Sequence, residues 1–348
     1  MIANKVLLIT GGTSSFGKKL ISTLLENYKP RKIIIFSRDE FKQDLLYKEL
    51  SFHYRKKMDK IRFFLGDIRD KDRLYRAFNG VDHVIHIASM RQVSACEYNP
   101  LEAIKTNILG TQNIIDAAID CGVKRVVALS SDEAVTPINL YGGTKLVSDK
   151  LFISANAYSR QIGTIFSVVR YSNVAGSRGS VIPFFKQLID QGIRELPIED
   201  FNMTKFWITL EKGVAMVLKA LGESKGGETY IPKMPSFKIT DLARAMVPNC
   251  KLKEVGIREW EKLHEVMITK DESYNTYEYE NHYVIYPHLD WWNKEKYLTL
   301  GGNLVEADFE YSSRTNKEWY TINDLILSME KLGLYDENNE IIKHTIFL

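Results

Sequence analysis

The chain has 348 residues, long enough for two domains or for one α/β domain with a sizeable appendage. Hydrophobic residues make up 45% and charged residues 26%, the balance of a globular protein with a real core. Lys and Arg number 47 against 44 Asp and Glu, and a net charge of +3 excludes the basic profile of a nucleic-acid or membrane-surface protein. Cys96, Cys121 and Cys250 are far apart and include no C-x-x-C, which argues against a disulfide framework and a zinc site. No window reaches the ~18 apolar residues of a membrane span, and the first apolar run is too short for a signal peptide. The expectation is a cytoplasmic protein with no metal and no nucleic-acid or membrane partner.

Short apolar runs at residues 6–9, 32–36, 61–65, 83–87, 125–129 and 165–169 predict buried strands. Amphipathic stretches at 16–27, 40–51, 71–78, 102–120 and 140–157 predict the helices between them. Nearly all-apolar strands alternating with helices imply a doubly wound parallel sheet covered on both faces, the architecture that binds dinucleotides. After about residue 175 the rhythm breaks, with a Gly/Ser loop at 177–180, a Tyr-rich charged stretch at 274–286 and a loop at 287–292. Residues 1–175 are therefore expected to form the dinucleotide-binding domain. Residues 176–348 are expected to form a smaller substrate-binding portion, with some segments returning to the first.

The first strand runs into Thr10-Gly11-Gly12-Thr13-Ser14-Ser15-Phe16-Gly17, and a helix begins at once. Glycines in a strand–turn–helix context let backbone N–H groups approach a pyrophosphate at a helix N-terminus. Gly11, Thr13, Ser14, Ser15, Phe16 and Gly17 are thus candidate cofactor residues. The second strand leads into Ser37-Arg38-Asp39-Glu40-Phe41-Lys42. A carboxylate at that strand end suits the ribose of NAD, whereas an arginine suits the 2′-phosphate of NADP. Ser37, Arg38 and Lys42 favour NADP, and Asp39, which can also serve as a helix cap, is counted with them among the candidate cofactor residues.

Farther along, Tyr141-Gly142-Gly143-Thr144-Lys145 places Tyr and Lys four apart on one helix face, eleven residues beyond the fifth strand's Ser130. A nearby ammonium favours the phenolate, which equips Tyr141 to take a hydroxyl proton while hydride passes to a nicotinamide. Ser131-Asp132-Glu133 follows the same strand and should face the nicotinamide crevice. A hydroxyl and two carboxyl groups there are candidates for acid/base work.

These motifs together resemble the extended short-chain dehydrogenases/reductases, whose T-G-x-x-G-x-x-G loop is matched except that Ser14 replaces the middle glycine. The stretches His86-Ile87-Ala88-Ser89-Met90-Arg91-Gln92-Val93, Pro137-Ile138-Asn139-Leu140-Tyr141, Arg170-Tyr171-Ser172-Asn173-Val174, Ser177-Arg178-Gly179-Ser180-Val181-Ile182-Pro183, Met203-Thr204-Lys205-Phe206-Trp207 and Glu261-Lys262-Leu263-His264-Glu265 narrow the resemblance. They are similar to UDP-N-acetylglucosamine 4,6-dehydratases, nearest the C5-inverting branch that opens pseudaminic-acid biosynthesis. The resemblance implies that Asp67 and Ile68 touch adenine and that Ala88, Ser89 and Arg91 line the cofactor site. It implies that Arg91, Ser131, Asn173, Lys205, Arg258 and Glu261 contact a UDP-sugar, with Arg258 near the diphosphate. It also implies an internal redox cycle and, as expected of this class, a homo-oligomer.

One departure bears on mechanism. The inverting branch reads Thr-Asp-Lys where this chain has Ser131-Asp132-Glu133, whereas the C5-retaining dTDP-glucose 4,6-dehydratases read Thr-Asp-Glu. Glu133 is a competent base, and both outcomes at C5 stay open. Arg91 and Lys205 stand where the branch has lysine and arginine. Two alternatives remain beside the dehydratase: an epimerase or reductase on the same fold, which needs no Asp132-Glu133 pair, and a non-catalytic protein that binds NADP and sugar nucleotide. His86 and His264 are weak candidates, His86 reading as a satisfied core residue.

Overall fold

The six apolar runs form the strands their composition predicts. In the computed structural model, which describes residues 2–159, 161–177, 180–289, 292, 298 and 301–333, they are β1 (Val6–Thr10), β2 (Lys32–Ser37), β3 (Ile61–Leu65), β4 (His83–His86), β5 (Arg125–Ser130) and β6 (Ile165–Arg170). Between them lie α1 (Ser15–Asn27), α2 (Glu40–His53), α3 (Lys71–Phe78), α4 (Val93–Tyr98), α5 (Pro100–Ile104), α6 (Gly110–Asp120) and α7 (Leu140–Ser159). All six strands pair in parallel in the order β3-β2-β1-β4-β5-β6. β1 is buried along its whole length because helices cover both faces of the sheet, as its unbroken apolar run requires. Two separate apolar clusters, one on each face, carry this packing. The strand order reverses between β1 and β4, and a crevice opens there beyond the strand ends.

The predicted helix at 102–120 is broken by a single π turn, Lys105–Leu109. Inside it, Asn107 Oδ1 accepts from Met90 N and its Nδ2 donates to Met90 O, both at 2.8 Å. Nδ2 also donates to Thr144 Oγ1 at 2.9 Å. The turn thereby aims one amide at both the 88–91 loop and the helix bearing Tyr141, a local distortion with a positional purpose.

Beyond residue 175 the chain forms α8 (Val181–Asp190), β7 (Glu195–Ile198), β8 (Thr204–Phe206), α9 (Leu210–Glu223), β9 (Thr229–Pro232), β10 (Ser236–Lys238), α10 (Ile239–Met246) and β11 (Lys251–Glu254). β12 (Val266–Ile268), β13 (Thr276–Glu278), β14 (His282–Ile285), β15 (Asn303–Leu304), β16 (Tyr311–Ser312) and α11 (Ile322–Lys331) follow. β9 extends the parallel sheet beside β6, and β14, β13 and β15 add antiparallel strands, completing ten. The Tyr-rich stretch is thus a sheet hairpin, its Tyr277 and Tyr283 buried in the core that Leu7 and Ile9 share. Two two-stranded sheets, β10-β8 and β11-β7, with α8, α10 and α11 build a third apolar cluster around Trp207, Phe237 and Leu242, while the β12-β16 pair packs into the first cluster through Met267, Ile268 and Tyr311. Arg178 and Gly179 of the Gly/Ser loop, and residues 290–291 of the 287–292 loop, lie outside the described residues. No helix among the described residues is long and apolar enough to cross a membrane.

Candidate functional site

The loop after β1 is shaped for close backbone approach. Gly11 has φ +66°, and a Cβ there would stand 2.9 Å from Ala88 N. A Cβ on Gly17 would lie 2.5 Å from the Gly12 carbonyl oxygen, so the first turn of α1 closes on the loop only with glycine. Ser14, in the place of the resembled family's middle glycine, has extended backbone and caps α1 by accepting from Gly17 N at 3.1 Å. It therefore needs no glycine, and it leaves the helix N-terminus turned toward the crevice. At the strand end behind it, Thr10 Oγ1 accepts from Ile87 N (3.1 Å) and Ala88 N (3.2 Å) and bonds His86 Nδ1 (2.8 Å). His86 is a satisfied core histidine, pushed down to about 3 by burial and by the Lys145 charge.

The end of β2 carries no free carboxylate at the ribose position. Asp39 caps α2, accepting from Lys42 N at 2.9 Å and pairing with Lys42 Nζ at 3.0 Å. Ser37 accepts from Gln43 Nε2 at 3.0 Å. Arg38 stands 64% exposed, 3.8 Å from Asp67, with its guanidinium open to the cleft.

The catalytic candidates converge from two elements. Ser131-Asp132-Glu133 leaves β5 through a 3-10 turn, Asp132–Ala134, which Ser131 Oγ caps by accepting from Glu133 N at 3.2 Å. Gly142 lets α7 press on that turn: a Cβ there would sit 2.3 Å from the Glu133 carbonyl oxygen. Tyr141, one residue earlier, is buried and lines the same cleft as Ser131. Burial holds its phenol above the usual range, with Ser131 and Arg91 opposing. Desolvation thus sets the direction, against the lowering that the spacing to Lys145 predicts. Lys145 Nζ donates to Leu129 O at 2.7 Å, and burial depresses it against the opposing pull of Asp149.

The two adjacent carboxyl groups lie in contrasting surroundings. Asp132 is 2% exposed, and its Oδ1 has no hydrogen-bond partner among the described residues. Burial first, then the charges of Glu265 and Glu133, raise its carboxyl well above the usual carboxylate range. Glu133 instead faces the cleft, where its Oε2 accepts from Asn139 Nδ2 at 3.0 Å and lies 4.0 Å from Lys262 Nζ. One buried carboxyl group beside one that meets the cleft is an arrangement able to divide acid and base work between them.

Behind them, Lys205 Nζ meets Glu261 at 2.6 Å and Glu265 at 3.7 Å. Burial opposes its charge, but Glu265 and Glu261 hold it above its usual range. Glu265 is 1% exposed and accepts from Ser172 Oγ (2.6 Å) and Phe206 N (2.8 Å). Arg258 closes the far side in an ion pair with Glu199. His264 Nδ1 is bonded to Thr204 Oγ1 at 2.8 Å, which leaves it a structural residue.

One cleft of about 1410 Å³ is lined by every candidate catalytic, cofactor or substrate residue except Gly17 and Asp132. Gly17 lies under the loop, and Asp132 is sunk beneath the cleft floor. Sites for one small molecule run to roughly 1,000 Å³, so this space suits a dinucleotide and a second ligand end to end. The Gly11 and Gly17 approaches and the helix N-terminus fit a dinucleotide. Asn139, Lys262 and Glu265 went unassigned in the sequence, because only folding brings the 260–265 segment against residues 132–139. Among the described residues no group of three or more His, Cys, Asp or Glu is arranged to hold a metal.

A doubly wound sheet with a glycine cradle at its switch point and Tyr and Lys four apart beside it defines an extended short-chain dehydrogenase/reductase. The profile of the polysaccharide biosynthesis protein family matches residues 7–287, and the chain belongs to that family. It is 52% identical over 94% of its length, and 97% of the relative's, to a protein of Campylobacter jejuni serotype O:23/36 (strain 81-176) named UDP-N-acetylglucosamine 4,6-dehydratase (inverting). It is 37% identical over 91% of its length, and 93% of the relative's, to a Rickettsia akari protein named UDP-glucose 4-epimerase. The X-ray structure of Pen from Bacillus thuringiensis is 37% identical and superposes with a TM-score of 0.86, covering 96% of this chain and 99% of that one.

Proposed function

We propose that this enzyme is a sugar-nucleotide 4,6-dehydratase acting on UDP-N-acetylglucosamine. The observation that carries the reading is the pairing of buried Asp132 with cleft-facing Glu133 beside Tyr141. An epimerase has no use for that acid and base, whereas a dehydratase needs both. The 52% identity to a relative of that name over nearly the whole of both chains supports it.

Tyr141 takes the C4 hydroxyl proton, with Ser131 lining the same cleft and Lys145 fixing the helix against Leu129. A bound nicotinamide dinucleotide supplies the two-electron acceptor at C4 and the reductant later used at C6. The C4 ketone acidifies the C5 proton, which Glu133 removes. Asp132, whose acid form is favoured by burial and by Glu265, lies just beneath the cleft floor and is the proton source for the departing C6 hydroxyl. Reduction at C6 and reprotonation at C5 complete a 4-keto-6-deoxy sugar with loss of one water and no net use of cofactor. Lys205 and Arg258 supply cations for the UDP diphosphate, and Asn173 lines the same space.

We read the cofactor as NADP, on open Arg38 and the capped, charge-paired Asp39. Inversion at C5 is the outcome we assign, on the names of the relatives at about half identity. The test is incubation with UDP-N-acetylglucosamine and catalytic NADP in deuterated water, followed by mass spectrometry and NMR. Loss of water with one deuterium at C5 is expected. A product of unchanged mass with an inverted C4 would instead establish an epimerase.

A further inference from the structure

Lys262 comes from a stretch distant in sequence, yet it enters the base of the acid/base turn. Its side chain is 9% exposed, and it does not line the cleft. Nζ donates to Asp132 O at 2.9 Å and Val135 O at 2.7 Å, spanning 130 and 127 residues of sequence. The 3-10 turn is only three residues long, so the carbonyl at its exit has no continuing helix to satisfy it. Lys262 supplies that missing donor. The same ammonium lies 4.0 Å from Glu133 Oε2.

A second tie runs in parallel. Asn139 Nδ2 donates to Glu133 Oε2 (3.0 Å) and to Trp260 O (3.2 Å), while its Oδ1 accepts from Gly142 N at 2.7 Å. The Glu133 carboxyl is therefore referenced to residues 260–262 from both sides, and Asn139 links that reference to the helix bearing Tyr141. A buried ammonium with two carbonyls and one nearby carboxylate is fully satisfied only when the turn keeps this shape.

We propose that Lys262 is a positioning residue which sets Glu133 against C5 of the sugar by pinning the 132–135 backbone, without itself touching substrate. The proposal rests on the dehydratase reading and concerns the steps after C4 oxidation. A displacement of about 1 Å in a reacting group can cost roughly 100-fold in rate. The helix of Tyr141 is held separately, by Lys145 on the Leu129 carbonyl and by Asn107 on Thr144, so C4 oxidation should survive a loosened turn.

The test compares the parent holoenzyme with Lys262→Met and Lys262→Arg. Formation of reduced cofactor at 340 nm reads C4 oxidation, and release of deuterium from C5-deuterated UDP-N-acetylglucosamine reads the Glu133 step. For Lys262→Met we expect C5 release to fall about 100-fold and C4 oxidation to stay within roughly threefold. Lys262→Arg, which keeps charge and donors, should recover about tenfold of that loss. Equal losses in both steps would mark a merely structural residue and overturn the proposal, as would parental C5 release in Lys262→Met. Should Lys262→Met fail to fold, Lys262→Gln, which retains one uncharged donor, is read by the same split. A parent enzyme that oxidises C4 but releases no C5 deuterium overturns the dehydratase reading, and this proposal with it.

Discussion

Lys145 Nζ donates to the Leu129 carbonyl oxygen at 2.7 Å, tying the helix of Tyr141 to the strand that ends at Ser130. One residue earlier on the same helix, Thr144 Oγ1 accepts from Asn107 Nδ2 at 2.9 Å. The Tyr141 phenol is thus held between two fixed elements beside Ser131 and has little freedom to drift.

Tyr141→Phe removes the group proposed to accept the C4 proton and leaves this scaffold in place. Turnover should fall about 100- to 10,000-fold, the range for losing a general base. Cofactor affinity, measured by fluorescence titration, should stay within roughly threefold. Near-parental turnover would remove Tyr141 from the chemistry.

Glu133→Gln keeps the size of the side chain and can still meet Asn139. It should allow reduced cofactor to form at 340 nm on adding UDP-N-acetylglucosamine and should slow release of C5 deuterium about 100-fold or more. Parental release would show that another group is the base.

Asp132 links activity to stability. Its carboxyl is raised above the 3.8 of an exposed aspartate, chiefly by burial and then by Glu265 and Glu133. The native state therefore holds this proton more tightly than the unfolded chain does. The resulting stabilisation is full below about pH 4 and is lost as pH rises toward the native value. Asp132→Asn abolishes that loss. Its melting temperature should match the parent's near pH 4 and exceed it at pH 8, by about 2–4 °C for each kcal/mol regained. Elimination at C6 should fall at least about 100-fold in the same protein. A variant less stable than the parent at pH 8 would show Asp132 to be ionised and paired.

Arg38→Ala tests the cofactor. The guanidinium is exposed beside the cleft and only 3.8 Å from Asp67, so its loss disturbs no core packing. A charged hydrogen bond contributes about 1.5–3 kcal/mol, or roughly 10- to 100-fold in affinity. NADP binding should weaken by that factor and NAD binding by less than about twofold in calorimetry. Equal losses would contradict the NADP assignment.

Much of this enzyme is legible in order along the chain. The six strands and the glycine loop are local features, because unbroken apolar runs and a strand–Gly–helix junction depend on near neighbours. Tyr141 and Lys145 share a helix face by spacing alone, and Ser131, Asp132 and Glu133 follow directly on a strand end. The Tyr-rich stretch resisted the same treatment. Tyr277 and Tyr283 are buried by partners on β9, β14 and β15, so their environment is set by pairing and not by their own pattern.

The sequence by itself determined which chemical groups this enzyme brings to a dinucleotide crevice: a phenol, a lysine and two adjacent carboxyl groups. Only the tertiary structure decided which carboxyl group is buried and which meets the cleft. Asp132 turns beneath the cleft floor toward Glu265, and Glu133 turns outward to Asn139 and Lys262. That division depends on burial and on charges more than a hundred residues away. Desolvation and Coulomb forces act through space, and only folding sets the distances over which they act.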